Sequence, residues 1–225
     1  VPDLLGARDR PEEFPARTGL LAERARRHPG LRIGRTGLVF ETLVPTVLEQ
    51  LVPSVEARRS WRELLARYGE PAPGPAPAGM RVVPAAATFA ALPSWAWHRA
   101  GVDGRRRSTL VAVARVATAL ERVVELPIVE ARRRLQTVPG VGAWTVAEVT
   151  ARALGDLDAV SVGDYHLPTI VGYALAGRPL DDAGMLETLA PYAPQRYRAL
   201  RLVELGGVRR PRFGPRMPVR DYRSR

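Results

Sequence analysis

Residues 135–168, LQTVPGVGAWTVAEVTARALGDLDAVSVGDYHLP, decide how the chain is read. A helical segment over 128–137 runs into Pro139-Gly140-Val141-Gly142, a second helical segment comes next over 144–154, and after a short loop comes Asp164. Gly140 and Gly142 carry no Cβ and reach positive φ at little cost, so consecutive backbone N–H groups at the start of the second helix can turn outward together. The positive end of that helix strengthens the attraction for an anion. Such a cradle suits a phosphate, from a nucleotide or from a nucleic-acid backbone.

The pattern on either side of this stretch is helical. Leu20 to His28 predicts one helix, and Leu43, Val47, Leu48 and Leu51 recur at helical spacing within 41–55. Ser54 is placed to cap a helix running to Tyr68, with Trp61, Leu64, Leu65 and Tyr68 on one side. The Pro-rich run 71–79 reads as an uncharged surface loop. Helices are expected over 91–102 and 107–124, the second burying Leu110, Val113, Ala114, Ala117 and Leu120. Three more are expected near 168–176, 181–189 and 194–205. Strand-like alternation is confined to short stretches such as 80–83, so the fold class is all-α.

Composition narrows the function. Every one of the 34 basic residues is arginine, against 23 acidic residues, for a net charge of +11. GC-rich coding accounts for arginine in place of lysine but not for the net excess, which favours a polyanionic partner through counterion release. The chain has no cysteine, which excludes disulfides, thiol chemistry and a Cys-ligated iron–sulfur cluster within it. No apolar run reaches the roughly 18 residues of a membrane span and no signal peptide is visible, so no membrane partner and a cytoplasmic location are expected.

The motif Leu135, Pro139 to Gly142, Trp144 and Thr145, followed 20 positions after Trp144 by Asp164-Tyr165, resembles the helix-hairpin-helix DNA glycosylase superfamily, and within it the 3-methyladenine DNA glycosylase II branch. The resemblance extends over roughly residues 28–206. It implies a two-lobed helical fold, with residues 36–155 in one lobe and 1–35 plus 156–225 in the other, and Asp164 at their junction facing a cleft. The chain opens on Val1, and nothing in residues 1–35 suggests a sheet. The small β-rich domain that members of this branch often carry is therefore expected to be absent from it.

The same resemblance assigns roles. Val138, Gly140, Val141, Gly142, Ala143 and Thr145 would bind the DNA backbone, and Gln50 with Leu51 would enter the duplex. Trp144, Tyr165, Glu148 and Glu204 would line the base pocket, the two glutamates standing where relatives place aromatic residues. Asp164 would be the catalytic carboxylate. The resemblance implies no catalytic cofactor, although it allows a structural monovalent cation at the hairpin. The implied partner is double-stranded DNA containing a damaged base, bound by a monomer.

The chemistry fits a lone carboxylate. Cleaving an N-glycosidic bond builds positive charge on the deoxyribose, which a nearby carboxylate stabilises while orienting water. Alkylated purines are already cationic and leave without a general acid. The base must first be turned out of the stack, and an aromatic wall such as Trp144 suits an electron-poor flipped base. Bifunctional relatives cut the strand through a lysine at the hairpin position that is Trp144 here, so a monofunctional hydrolase is implied.

Plainer readings stand beside these. Asp164 is also placed as an N-cap, although Pro168 would interrupt the first turn of such a helix. Trp144 and Leu51 could each be core packing. His28, His98 and His166 show no ligand spacing. Arg105–Arg107 and Arg132–Arg134 read as solvated helix faces, and residues 209–225, with seven arginines and one aspartate, as a flexible tail able to touch phosphate. A non-catalytic helix-hairpin-helix DNA-binding module, and a glycosylase for uracil, hypoxanthine or an oxidised purine, are the alternative functions. Asp164 separates the module from the enzymes, since only turnover requires it.

Overall fold

The structure, a computed structural model, describes residues 1–16 and 18–207; the basic run 209–225 lies outside the described residues. In chain order the α-helices are α1 (Gly19–Arg27), α2 (Val39–Leu48), α3 (Ser54–Tyr68), α4 (Ala86–Ala91), α5 (Ser94–Arg99) and α6 (Gly104–Arg115). They continue as α7 (Ala117–Glu121), α8 (Ile128–Gln136), α9 (Ala143–Val149), α10 (Leu167–Val171), α11 (Asp182–Leu189) and α12 (Arg196–Leu205). Helices α9 and α10 each end in a wider π turn, over Thr150–Leu154 and Gly172–Ala176. Among the described residues the β pairing amounts to one isolated antiparallel bridge, Pro71 with Arg81, closing the Pro-rich loop. The fold is all-α.

Several helix boundaries differ from those expected. The single helix over 91–102 is two, because Pro93 forces Leu92 into an extended conformation between α4 and α5. The helix over 107–124 breaks at Val116, with φ −113° and ψ 11°, where neither Gly nor Pro marks the site. Pro53, not Ser54, is the residue before α3, and the Ser54 side chain makes no cap bond. The buried face of α3 holds Glu56, Ala57, Ser60 and Leu64 in place of the aromatic stripe, so two of its four positions are polar.

The chain divides into two compact units, residues 38–145 and residues 1–37 with 146–207. The later division falls within α9, not at 155/156. Packing draws the end of α9 and its π turn into the second of these units. Ala147 and Ala151 pack with Ala159 and Tyr197, and the carbonyls of Arg152 and Ala153 accept the N–H groups of Thr36 and Gly37 at 3.0 and 2.9 Å.

In the unit 38–145, α2 is apolar on nearly every face and is buried accordingly, with Leu43, Val44, Val47 and Leu48 fully enclosed. Its first N–H groups lack intrahelical acceptors and are met by one carboxylate, Val39 donating to Glu121 Oε2 at 3.0 Å and Phe40 to Oε1 at 2.7 Å. Phe89 packs edge-on to Phe40 and tilted against Trp97, at 5.8 and 5.5 Å. Helix α6 lies against α2 and α4, and its predicted stripe of Leu110, Val113 and Ala114 is buried, as are Ala117 and Leu120 of α7.

The unit 1–37 with 146–207 is built around Leu21, Leu167, Val171, Met185, Leu189 and Leu202. Two buried charges, Asp9 and Arg198, pair inside it. Asp9 Oδ2 also accepts the Ile33 N–H at 2.8 Å, while Arg198 donates to Gln195 Oε1 at 2.7 Å and Leu31 O at 3.2 Å. The N-terminal segment is thereby fastened to α12. Replacing Arg198 by Met is expected to destabilise the protein by roughly 3–5 kcal/mol, because Asp9 would be left buried and uncompensated. Urea unfolding measures this, and Asp9→Asn added to Arg198→Met should recover much of the loss.

Candidate functional site

The hairpin between α8 and α9 is shaped by one close approach. Gly140 has φ +86°, and a Cβ built on it would stand 2.0 Å from Thr109 Oγ1 of α6. Both the left-handed backbone and the contact therefore require glycine here. The turn is closed by Val141 N donating to Val138 O at 3.0 Å. Val138, Val141 and Thr145 are buried, whereas Gly140, Gly142 and Ala143 form an exposed rim. Gly142 is not left-handed, contrary to the expectation, because the single positive φ at Gly140 already reverses the chain. A Cβ on Gly142 would meet open space. The first N–H groups of α9 begin at this rim and, as at any helix start, have no intrahelical acceptor.

The Gln50–Leu51 pair lies beside the hairpin in the same unit. Gln50 Nε2 donates to Gly140 O at 3.0 Å and to Thr145 Oγ1 at 2.8 Å, so its amide is turned to the hairpin and fastens the two turns together. Leu51 does not belong to the buried stripe of α2, which ends at Leu48. It is 81% exposed, and with φ 56° it is the one non-glycine residue of positive φ among the described residues. An exposed leucine in the left-handed region costs on the order of 1 kcal/mol and persists where neighbouring contacts over-determine it.

Asp164 sits at the end of a loop with four anchors, all within the second unit. Asp156 Oδ2 accepts Thr150 Oγ1 at 2.8 Å, and Asp158 pairs with Arg196 at 2.6 Å while accepting its backbone N–H at 3.2 Å. That pairing holds the Arg196 guanidinium pKa above its usual value, against the opposing effect of burial. Ser161 Oγ donates to Glu148 Oε1, and Gly163 N donates to Asp182.

Asp164 itself is half-buried, and its Oδ1 accepts the N–H groups of His166 and Leu167 at 2.7 and 2.8 Å. Asp164 is not the N-cap of α10, which is His166, yet its carboxylate accepts the N–H groups of that cap and of the first helical residue, and Pro168 does not oppose this. Pro168 stands within the first turn of α10, where a missing N–H leaves no bond unmade. A carboxylate whose Oδ1 is fixed by two backbone donors is aimed, which suits either role.

Trp144 is half-buried at the second position of α9. Tyr165 is 83% exposed, its ring edge-on to His166 at 4.8 Å. The two glutamates assigned to the base pocket are each neutralised by an arginine on the same helix, Glu148 by Arg152 at 2.6 Å and Glu204 by Arg201. The pKa of the Tyr197 phenol is raised, first by burial, with both glutamates adding to the rise and both arginines opposing it. Arg152 and Arg201 were legible as i,i+4 and i,i+3 partners; Tyr197 had no signal in the sequence. Two hollows in this unit, one against Phe14, His28 and Leu202 and one against Asp3, Arg35 and Gly155, contain none of the site residues.

No cluster of His, Asp or Glu able to hold a metal occurs among the described residues. A monovalent cation at the hairpin would draw on backbone carbonyls, and two of these, Val138 O and Gly140 O, already accept bonds from Val141 N and Gln50 Nε2. No helix is long and apolar enough to cross a membrane, among the described residues.

The arrangement has relatives. The fold is similar to a 3-methyladenine DNA glycosylase from Archaeoglobus fulgidus, at TM-score 0.71 and 21% identity over 87% of this chain and 69% of that one. It is also similar to the Schizosaccharomyces pombe 3-methyladenine DNA glycosylase in complex with abasic DNA, at TM-score 0.68 and 16% identity over 86% and 93%. The 8-oxoguanine glycosylase/lyase of Clostridium acetobutylicum superposes as well, at TM-score 0.72 and 14% identity over 89% and 72%. No family model matches the chain. The chain thus has the all-α fold of these DNA glycosylases. In sequence it is 33% identical over 140 residues to the "probable bifunctional transcriptional activator/DNA repair enzyme AlkA" of Mycobacterium tuberculosis, a match spanning 62% of this chain but only 28% of that relative.

The two hairpin glycines are expected to respond in opposite ways to a methyl group. Gly140→Ala should lower stability by at least about 1 kcal/mol, from strain and contact with Thr109. Gly142→Ala should stay within about 0.5 kcal/mol of the parent. Thermal melts of the two variants decide between this geometry and one in which both glycines serve the turn alike.

Proposed function

We propose that the protein is a monofunctional DNA glycosylase of base excision repair that hydrolyses the N-glycosidic bond of a flipped, damaged purine, with alkylated purines as its substrate class. The observation that carries this reading is Leu51, a leucine held exposed in a left-handed turn and tied through Gln50 to the hairpin. A module that only grips phosphate has no use for such a residue, whereas an enzyme that extrudes a base needs an apolar group to fill the gap. The superfamily fold and the relative named as a DNA repair enzyme support the reaction class. The two 3-methyladenine enzymes among the structural relatives support the substrate class.

In this reading the exposed rim of Gly140, Gly142 and Ala143 receives a backbone phosphate through α9 N–H groups, a contact that carries no base information. Leu51 enters the duplex, with Gln50 steadying its turn from the hairpin side. Trp144 and Tyr165 offer rings for stacking to the flipped base. The bond from C1′ to the purine nitrogen breaks with its electron pair going to the base, so a cationic alkylpurine leaves neutral. The Asp164 carboxylate stabilises the oxocarbenium-like sugar and orients the water that adds to C1′. The products are a free base and an abasic site. The substrate is double-stranded DNA, and the protein acts as a monomer.

The Asp164→Asn variant tests the carboxylate without disturbing the loop, since its amide oxygen still accepts from His166 and Leu167. Base release from methylated DNA is expected to fall by at least about 100-fold while duplex affinity is retained. Retained turnover would reduce Asp164 to a structural role.

The strand is expected to stay intact. Lysine is absent from the sequence, Trp144 holds the hairpin position at which bifunctional relatives carry one, and arginine stays protonated. Borohydride added during turnover should trap no covalent protein–DNA adduct, and breaks should appear only after alkali. A trapped adduct would overturn the monofunctional assignment.

A further inference from the structure

We infer that Arg106 is a positioning residue for the Leu51 wedge, strapping both ends of the turn that displays it; this rests on the reading of Leu51 as the group that enters the duplex. Arg105–Arg107 has the sequence of a solvated run, yet the Arg106 side chain is only 3% exposed. Its Nη1 donates to Leu48 O at 2.8 Å, the last residue of α2. Its Nη2 reaches Glu56 Oε1 at 3.4 Å, in the first turn of α3. Leu48 and Glu56 bracket the connection from α2 to α3, and Leu51 lies within it. One planar guanidinium therefore spans the base of the turn.

The guanidinium is itself fixed. Arg106 Nε donates to Asp103 Oδ2 at 2.6 Å, while Asp103 Oδ1 accepts the backbone N–H groups of Arg105 and Arg106 and so caps α6. Thr109, three residues further along α6, carries the seat of Gly140. Residues three apart share a helix face. The same face of α6 thus sets the wedge turn through Arg106 and the hairpin through Thr109, and Gln50 closes the circuit by donating to Gly140 O and Thr145 Oγ1. Nothing packs over Leu51 to hold it, so its left-handed conformation depends on what lies beneath it.

Removing Arg106 alone would take a guanidinium from the buried Glu56 carboxylate and destabilise the unit without testing the idea. Replacing the pair together, Arg106→Met with Glu56→Met, substitutes apolar volume for a buried ion pair, an exchange that folded proteins tolerate. Arg106→Lys serves as a second variant: it keeps the charge beside Glu56, but a single ammonium does not reproduce the fork. The measurements are the melting temperature, affinity for undamaged duplex, and preference for a duplex holding a tetrahydrofuran abasic analogue, with 2-aminopurine fluorescence beside the analogue reporting entry of the wedge.

The Met pair is expected to fold and to melt below the parent, because Leu48 O and Gly101 O lose a donor, and to bind undamaged duplex within twofold of it. It should nevertheless lose at least tenfold of its preference for the abasic duplex, together with the fluorescence change. Arg106→Lys should lose several-fold. Leu51→Ala should show the same loss, and combining it with the Met pair should cost nothing further, which a purely structural role for Arg106 would not produce. If Leu51→Ala keeps the preference, the wedge reading fails and this inference with it. If Leu51→Ala loses it while a folded Met pair or Arg106→Lys keeps it, the wedge stands and the role of Arg106 is overturned.

Discussion

The hairpin depends on the seating of Gly140 against Thr109. A backbone that approaches a neighbouring side chain so closely admits no Cβ, and the positive φ that brings it there admits few residues other than glycine. Once Gly140 is seated, Val138 and Val141 are buried on either side of the turn. The carbonyl of Gly140 then faces Gln50, and α9 begins with its N–H groups at an exposed rim. The glycine that matters for the protein's own packing is thus distinct from Gly142, where a Cβ would meet open space, although the two look equivalent in the motif.

Charge is used in two ways in this arginine-rich chain. Most of the described arginines lie at the surface and supply a positive field. A few are turned inward, where each satisfies several acceptors at once. Arg106 binds Leu48 O, Gly101 O, Asp103 and Glu56, Arg198 binds Asp9, Gln195 and Leu31 O, and Arg24 binds the carbonyls of Leu202 and Val203. The fork of the guanidinium makes this multiplicity feasible. These inward arginines organise loops and helix ends, and their cost of burial is offset by the number of bonds each makes.

Acidic residues obey the same logic near the proposed chemistry. Glu148 and Glu204 are each paired with an arginine, Arg152 and Arg201, near the half-buried Tyr197 phenol. Asp156 and Asp158 are spent on holding the loop. Asp164 has its Oδ1 bound by two backbone donors of the next turn, which orients the carboxylate through the main chain. A carboxylate so held is suited to meet positive charge that appears only in a transition state.

The amino-acid sequence by itself determined the all-α class, the hairpin, the helices flanking it and the position of Asp164, because periodicity, glycine placement and motif spacing are local properties of the chain. It also determined the buried stripe of α6 and α7, which needs no partner to be recognised. Tertiary structure alone decided which of two similar glycines is strained, that Leu51 leaves the stripe of α2 to stand in water, and that Gln50 turns to the hairpin. It decided as well that the middle arginine of an arginine triplet is buried while the face of α3 hides Glu56 and Ser60. Each of these outcomes depends on a partner remote in sequence, Thr109 for Gly140, Thr145 for Gln50 and Glu56 for Arg106, and a pattern read along one segment carries no information about the atom that will face it from another.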